Sequence, residues 1–549
     1  MKTFLASFIF LLSSLAYSQP PTSASFVLGQ PNFTSSATAT SQSGLFFPGG
    51  MAIDSHNYIW VADSNNNRIL EFTPPYYNGM SASLVLGQPT FTIGSVVSAS
   101  QSSINFNGGV SRLLLVDAIA FDSAGNLWVA DTYNNRVLMF AYPFSNNQQA
   151  SLVLGQPNFT TTTPGLTVSG LSEPRGVFVD KLSNVWVADT GNSRVLEYSY
   201  PITQNGQAAS LVLGQPSFTF ASILVSSSSL HSPFGVYVDS SSNVWVSDTF
   251  NYRVLEFVPP LFNGAAASLV LGNSNFTTNN PGGSSAATMN YPVGVSIDGA
   301  GNLWTAQWFN QRIAGFSVPY SSGEAASLLL GESSFTSSPG GTSASTISFV
   351  SGLAVDSGND VWAVDSTNSR ILAFGLPLAP TNFSATTVGF SSISWTWGAV
   401  SNVNGYYVYN SSTSAVVGTS STTSFSQTGL IPNTLYSDVV AASSGTMPGL
   451  ATSVVSTYTF ASPPINLQFN VVGSTYAVVF WSDNGNPPNT NYDVLYWETS
   501  GSTITISTTN TFSDLNSLSP LTTYYFTVNA YNVNNIESPS NVVVSTVTP

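Results

Sequence analysis

The sequence predicts an all-β protein, a closed ring of six four-stranded sheets followed by two β-sandwiches. Three observations carry this. A short apolar string recurs six times, as "FVLGQPNFT" at Phe26, "LVLGQPTFT" at Leu84, "LVLGQPNFT" at Leu152, "LVLGQPSFT" at Leu211, "LVLGNSNFT" at Leu269 and "LLLGESSFT" at Leu328. A longer string also occurs six times, for example "GMAIDSHNYIWVADSNNNRILEF" ending at Phe72 and "GLAVDSGNDVWAVDSTNSRILAF" ending at Phe374. From Leu378 both strings vanish and two new modules begin, 378–460 and 462–549.

Each long string reads as three strands: one of small residues ("GVFVD"), one bearing Trp ("NVWVAD") and one beginning at Arg ("RVLEY"). β-branched residues alternate with polar ones between Asx and Gly turns, which is the period-two signal of a sheet. The "LVLGQ" string adds a fourth strand, and four-stranded units repeated radially form propeller blades. Order along the chain gives the closure. A lone fourth strand comes first, at Phe26, and the last three-strand set, Gly352 to Phe374, has none after it. The expected architecture over 25–376 is therefore a six-bladed β-propeller whose N-terminal strand closes the last blade and removes two aggregation-prone sheet edges.

The pattern "P-x-G-V-x-V-D... N-V-W-V-A-D-T-x-N-x-R-V" resembles the NHL-repeat β-propeller family, roughly from Ser25 to Gly375. The resemblance implies a propeller whose long connections and Trp-strand turns share one face; such propellers include scaffolds, binding platforms and a few enzymes, so function rests on the site. The two C-terminal modules each carry a strand Trp, Trp395 and Trp481, and an "LxPxTxY" corner, Leu430 to Tyr436 and Leu518 to Tyr524. They resemble fibronectin type III domains, which implies a corner tyrosine hydroxyl folded back on backbone. Neither module contains Lys or Arg, and Pro377, Pro380, Pro463 and Pro464 mark short, stiff linkers.

Composition bounds the function. The chain has 549 residues, 43% hydrophobic and 6% charged, with formal charge −15 and no cysteine. Thiolate metal sites and disulfides are thus excluded, and the acidic balance disfavours nucleic acid and anionic membrane surfaces as partners. Lys2 precedes an apolar run from Phe4 to Ala16, with small residues at Ala16 and Ser18, so 1–18 reads as a signal peptide. We expect a secreted or cell-surface protein, without membrane insertion after signal removal.

Asp189 and Arg194 flank a polar turn, and the pair recurs as Asp63 with Arg68, Asp131 with Arg136, Asp248 with Arg253 and Asp365 with Arg370. A reaction centre needs one constellation in one place, so five equivalent pairs read as fold braces. Asn66, Asn134, Asn192, Asn251, Asn310 and Asn368 are expected at the turn position that tolerates positive φ. Trp60, Trp128, Trp186, Trp245, Trp304 and Trp362 read as packing between blades. Asp54, Asp122, Asp180, Asp239, Asp298 and Asp356 read as Asx turns.

Departures from the repeat are where a site is expected. Blade five has Gln307 for the acid and Trp308 after it, so Arg312, Trp308 and Phe309 are expected to form a local opening that grips a ligand. The ring Gly49, Asp117, Arg175, Phe234, Val293 and Ser351 is expected to line the channel entrance, with Asp117, Arg175 and Phe234 as ligand-binding candidates. Tyr133, Phe250, Tyr252, Trp308 and Phe309 are expected as exposed aromatics on the loop face. The sequons at Asn32, Asn158 and Asn275 belong to the repeat and read as structural; Asn382 and Asn410 lie in the sandwiches. No catalytic residue, metal ligand or cofactor is assigned. The sequence reads as a binding or adhesion protein for an extracellular protein or glycan, with the sandwiches as spacers. The alternatives are a calcium-dependent lyase or hydrolase at the channel mouth, and a structural component of a surface layer or matrix.

Overall fold

The computed structural model describes residues 22–109, 116–401, 403–444 and 446–549, so the expected signal peptide lies outside them. The chain divides into two compact units: residues through Leu376 apart from Pro74–Tyr76, and Pro74–Tyr76 with Pro377–Pro549.

The first unit holds six four-stranded antiparallel sheets. Blade one runs Gly50–Ile53, Ile59–Asp63, Arg68–Phe72, Leu84–Leu86, from inner to outer strand. Blade three is Pro174–Val179, Val185–Asp189, Arg194–Tyr198, Leu211–Leu213, and the others repeat the plan. Blade six takes its outer strand from the N-terminus, with Phe26, Val27 and Leu28 opposite Ala373, Leu372 and Ile371. All three are fully buried, so the closure is part of the core.

Local chemistry explains why each blade folds alike. The Asp after each inner strand caps its own turn: Asp180 Oδ1 accepts the Leu182 and Asn184 amides at 2.8 and 2.9 Å. Its Oδ2 accepts the Trp186 indole N–H at 3.0 Å, a bond repeated from Trp60 to Trp362. The Asx-turn expectation holds, and each carboxylate also satisfies the indole that burial would otherwise strand.

The turn between second and third strands is one 3₁₀ turn in blades one to four, Thr190–Asn192 in blade three, and in all six blades it ends on a residue in the left-handed region. That residue is Asn67, Asn135, Ser193, Tyr252, Gln311 or Ser369, with φ from 49° to 58°. This corrects the expectation for Asn66 and its counterparts, which sit one position earlier. There the amide donates to the turn acid, Asn66 Nδ2 to Asp63 Oδ2 at 2.8 Å.

The second unit holds two β-sandwiches. In the first, a sheet of Ser384–Val388, Ser392–Thr396 and Ser424–Thr428 faces one built on Gly405–Asn410 and Leu435–Ser443. Trp395, Tyr406, Val408 and Val440 join the two sheets in one buried cluster. The second sandwich repeats this around Trp481, Tyr492, Val494 and Phe526. The corner tyrosines behave as expected: Tyr436 Oη accepts the Ile431 amide at 2.9 Å and Tyr524 Oη the Ser519 amide at 3.1 Å.

Candidate functional site

The recurrent Asp–Arg pairs are structural, and more deeply so than a surface brace. Arg194 Nε donates to Asp189 Oδ2 at 2.7 Å, and neither side chain is exposed. The guanidinium goes on to the carbonyls of Thr167 and Gly170, each at 2.9 Å, and of Phe218. The Phe218 carbonyl belongs to the "SFT" of the repeat, while Thr167 and Gly170 lie on the long connection into the blade. Each Arg therefore ties the loops to its blade and proves that long connections and Trp-strand turns share a face, here called the loop face. Burial pushes the Asp189 carboxyl above its ordinary range, opposed by Arg194, Asn192 and the Ser172 amide.

Blade five departs from the plan without opening. Gln307 Oε1 takes the place of the carboxylate and accepts Arg312 Nε at 2.9 Å, while Ser285, Thr288 and Phe335 carbonyls hold the other nitrogens. Arg312 has no exposed surface, so the expectation of a free guanidinium is corrected. Burial brings it down to about 10, with Glu332 opposing.

Trp308 is buried as well, at 5% exposure. The reason is positional. Its counterparts Thr190 and Thr249 point to the axis and donate to the next blade's Pro233 and Pro292 carbonyls at 2.6 and 2.8 Å. A Trp there turns inward too, and it shares one apolar cluster with Val116, Phe234 and Val293.

This cluster also corrects the channel entrance. The ring of Gly49, Asp117, Arg175, Phe234, Val293 and Ser351 is buried throughout, so it forms the closed end of the channel. Asp117 Oδ1 lies 2.6 Å from Thr132 Oγ1. Burial raises its carboxyl to about 6 against the pull of Arg175. Arg175 in turn stands 5.0 Å over the Phe234 ring and 3.8 Å from Glu173. Asp117, Arg175 and Phe234 thus come together, as partners of one another.

The structure assembles a different surface from the remaining candidate, Phe309. At 43% exposure it stands in an aromatic ridge on the loop face of blades four to six. His231 packs on Phe250, Phe250 and Tyr252 on Tyr291, Tyr291 on Phe309 and Phe309 on Phe349, with centroids 5.0 to 5.8 Å apart. Tyr133, Phe250 and Tyr252 are half-buried rather than freely exposed.

Tyr291 and Phe349 were not singled out by sequence. Both occupy the position three residues before the inner-strand Gly, with φ of 54° and 53°. Phe47, Glu173 and Ser232 take the same conformation in blades one, three and four, so the positive φ belongs to the repeat's backbone. The same position holds Phe47 in blade one and Glu173 and Ser232 in blades three and four, so an aromatic there did not by itself mark the ridge in the sequence.

On the ring's axis lies a cavity of about 390 Å³, lined by the inner strands of all six blades. Its lining residues include no carboxylate, histidine or basic side chain. Among the described residues, no group of three or more His, Cys, Asp or Glu is arranged to hold a metal ion, and no helix is long and apolar enough to cross a membrane.

Two family models match within this architecture. The NHL repeat model matches residues 47–72 and the fibronectin type III domain model matches residues 462–546. No curated protein matches the chain. Among solved structures, a two-domain fibronectin type III segment of chicken tenascin is 20% identical, covering 31% of this chain and 99% of its own, with TM-score 0.26. Virginiamycin B lyase from Staphylococcus aureus is 10% identical over 72% of this chain and 98% of its own, with TM-score 0.34. A streptogramin B lyase is 12% identical over 62% and 95%, with TM-score 0.35. At these values the likeness bears on neither activity nor ligand. The chain thus carries an NHL repeat within a six-bladed β-propeller and a fibronectin type III domain in the second of its two β-sandwiches.

Proposed function

We propose that this is a secreted or cell-surface binding protein whose propeller captures an extracellular protein or glycan on its loop face. The aromatic ridge from His231 to Phe349 carries the reading. It joins six rings of blades four to six into one continuous row, beside connections rich in Ser, Thr, Asn and Gly. Amphipathic rings beside hydroxyls and amides suit sugars and protein hot spots alike. The sandwiches act as a spacer: Asn433 bonds Thr490 Oγ1 at 3.0 Å and the Val533 amide at 2.9 Å, stiffening the two modules into one arm.

The test of the binding reading is a glycan and surface-protein array probed with the full chain and with Phe309→Ser. Capture that depends on Phe309 supports it; capture indifferent to Phe309, or no capture on either array, counts against it.

A further inference from the structure

The axial cavity is a blind well that opens away from the loop face. Its loop-face end is narrowed by backbone. A Cβ on Gly50 would lie 2.4 Å from the Asp117 carbonyl, on Gly176 2.3 Å from the Phe234 carbonyl, and on Gly235 2.6 Å from the Val293 carbonyl. Inner strands of neighbouring blades therefore approach there as closely as backbone permits. Beyond them, the Val116, Phe234, Val293 and Trp308 cluster fills the axis. Toward the other end the lining side chains Ile53, Phe121, Phe178, Tyr237, Ser296 and Val355 are half-buried, and the well meets solvent.

The wall of this well is not six-fold. One inner-strand position lies opposite the blade tryptophan in every sheet, and it holds Ala52, Ala120, Phe178, Tyr237, Ser296 and Ala354. Blades three and four thus bring two rings, 4.8 Å apart, to the well's edge, where Phe178 also packs on the Trp186 cluster and Tyr237 on the Trp245 cluster, while the other four blades have Ala or Ser at this position. A pore kept only for ring closure has no need of one aromatic wall. An apolar cavity of ~150 Å³ holds benzene, so 390 Å³ accommodates two to three rings, inside the ~300 to 1,000 Å³ range of ligand pockets.

Charge narrows the class further. The lining offers no countercharge, and the six Asx-turn aspartates follow the inner strands at the open end, ringing it with carboxylates that repel anions. The hydroxyl of Ser296, and that of Tyr237 beside its bond to the Ile297 backbone, can orient one polar substituent. We propose that the well is a binding site for an uncharged, largely apolar molecule of two to three rings, stacked on Phe178 and Tyr237 and entering from the acid-ringed end. This site is separate from the loop-face ridge and does not rest on it.

The probe is N-phenyl-1-naphthylamine, neutral and three-ringed, titrated by fluorescence into the full chain. We expect a saturable rise that weakens at least tenfold in Ala354→Phe and in Ser296→Phe, each placing a ring where blades three and four already carry one. Phe309→Ser should leave it unchanged, and anionic 8-anilinonaphthalene-1-sulfonate should bind at least tenfold more weakly. Thermal melts of each variant establish folding, and two independent fillings guard against one that misfolds. The proposal is overturned if the wild-type chain gives no saturable rise, if the rise survives in both filled variants, if it depends on Phe309, or if the anionic dye binds as tightly.

Discussion

Arg68 Nε donates to Asp63 Oδ2 across 2.7 Å, and neither side chain has any exposed surface. Four further blades repeat this relationship, while blade five meets the same buried guanidinium with an amide, Gln307. The molecule so contains its own comparison between a charged and a neutral partner for a buried cation.

Removing one partner of such a pair strands the other charge. We expect Asp189→Ala to cost the propeller about 3–5 kcal/mol. Asp189→Asn, which like Gln307 still offers Arg194 an oxygen, should cost clearly less. Urea denaturation of the full chain with both variants checks this; equal losses would contradict it.

The converse holds in blade five. Gln307→Glu keeps the side-chain shape and gives the buried Arg312 guanidinium a carboxylate in place of an amide oxygen, so it should raise the Tm of the propeller. A lower Tm would show that desolvation of the new carboxylate outweighs the pairing.

Much of this was legible in the sequence, and the limits have physical causes. Ring closure could be read because string order alone fixes which strand completes blade six. The pairs could be read as braces because they recur, but not as buried, since the covering carbonyls of Ser41, Gly44 and Phe91 come from distant segments. Trp308 and Arg312 were marked by departing from the pattern. Their inward direction was hidden, because it depends on which way the replaced Thr pointed. Which end of the channel is narrow depends on backbone approach at Gly50 and Gly176, which spacing does not show.

Blade six carries a pH-sensitive element. Asn126, Asn184, Asn243 and Asn302 each donate a side-chain amide to their Asx-turn Asp, at 2.9 to 3.0 Å. Asp360 occupies this position opposite Asp356, and burial and then the Asp356 charge raise it from 3.8 to about 8. A raised folded-state pKa means stability fully present below pH 3.8 and lost as pH rises through about 8. Asp360→Asn should therefore raise the Tm, with a gain that grows from pH 4 to pH 8. Thermal melts across that range check it; a gain that shrinks with pH would contradict it.

The closure can be locked covalently because the chain has no cysteine of its own. Val27 and Leu372 are direct cross-strand partners, and opposed residues lie ~4.5–5.5 Å apart at Cβ, close to disulfide reach. Val27→Cys with Leu372→Cys should form an intramolecular bond, seen by mass spectrometry, and raise the Tm of the propeller. Two free thiols after oxidation would place the N-terminal strand elsewhere.

The contact surface proposed for this protein is the ridge on blades four to six. The most direct measurement is the Kd of the full chain for the ligand captured on the array, against Phe309→Ser, Tyr291→Ser and Trp308→Phe. We predict a loss of tenfold or more for the first two, about 1.4 kcal/mol or above each, with Trp308→Phe near wild type because Trp308 is buried and a Phe keeps a ring beneath Phe309 and Phe349. Unchanged affinity in Phe309→Ser and Tyr291→Ser, with melting temperatures intact, would contradict it.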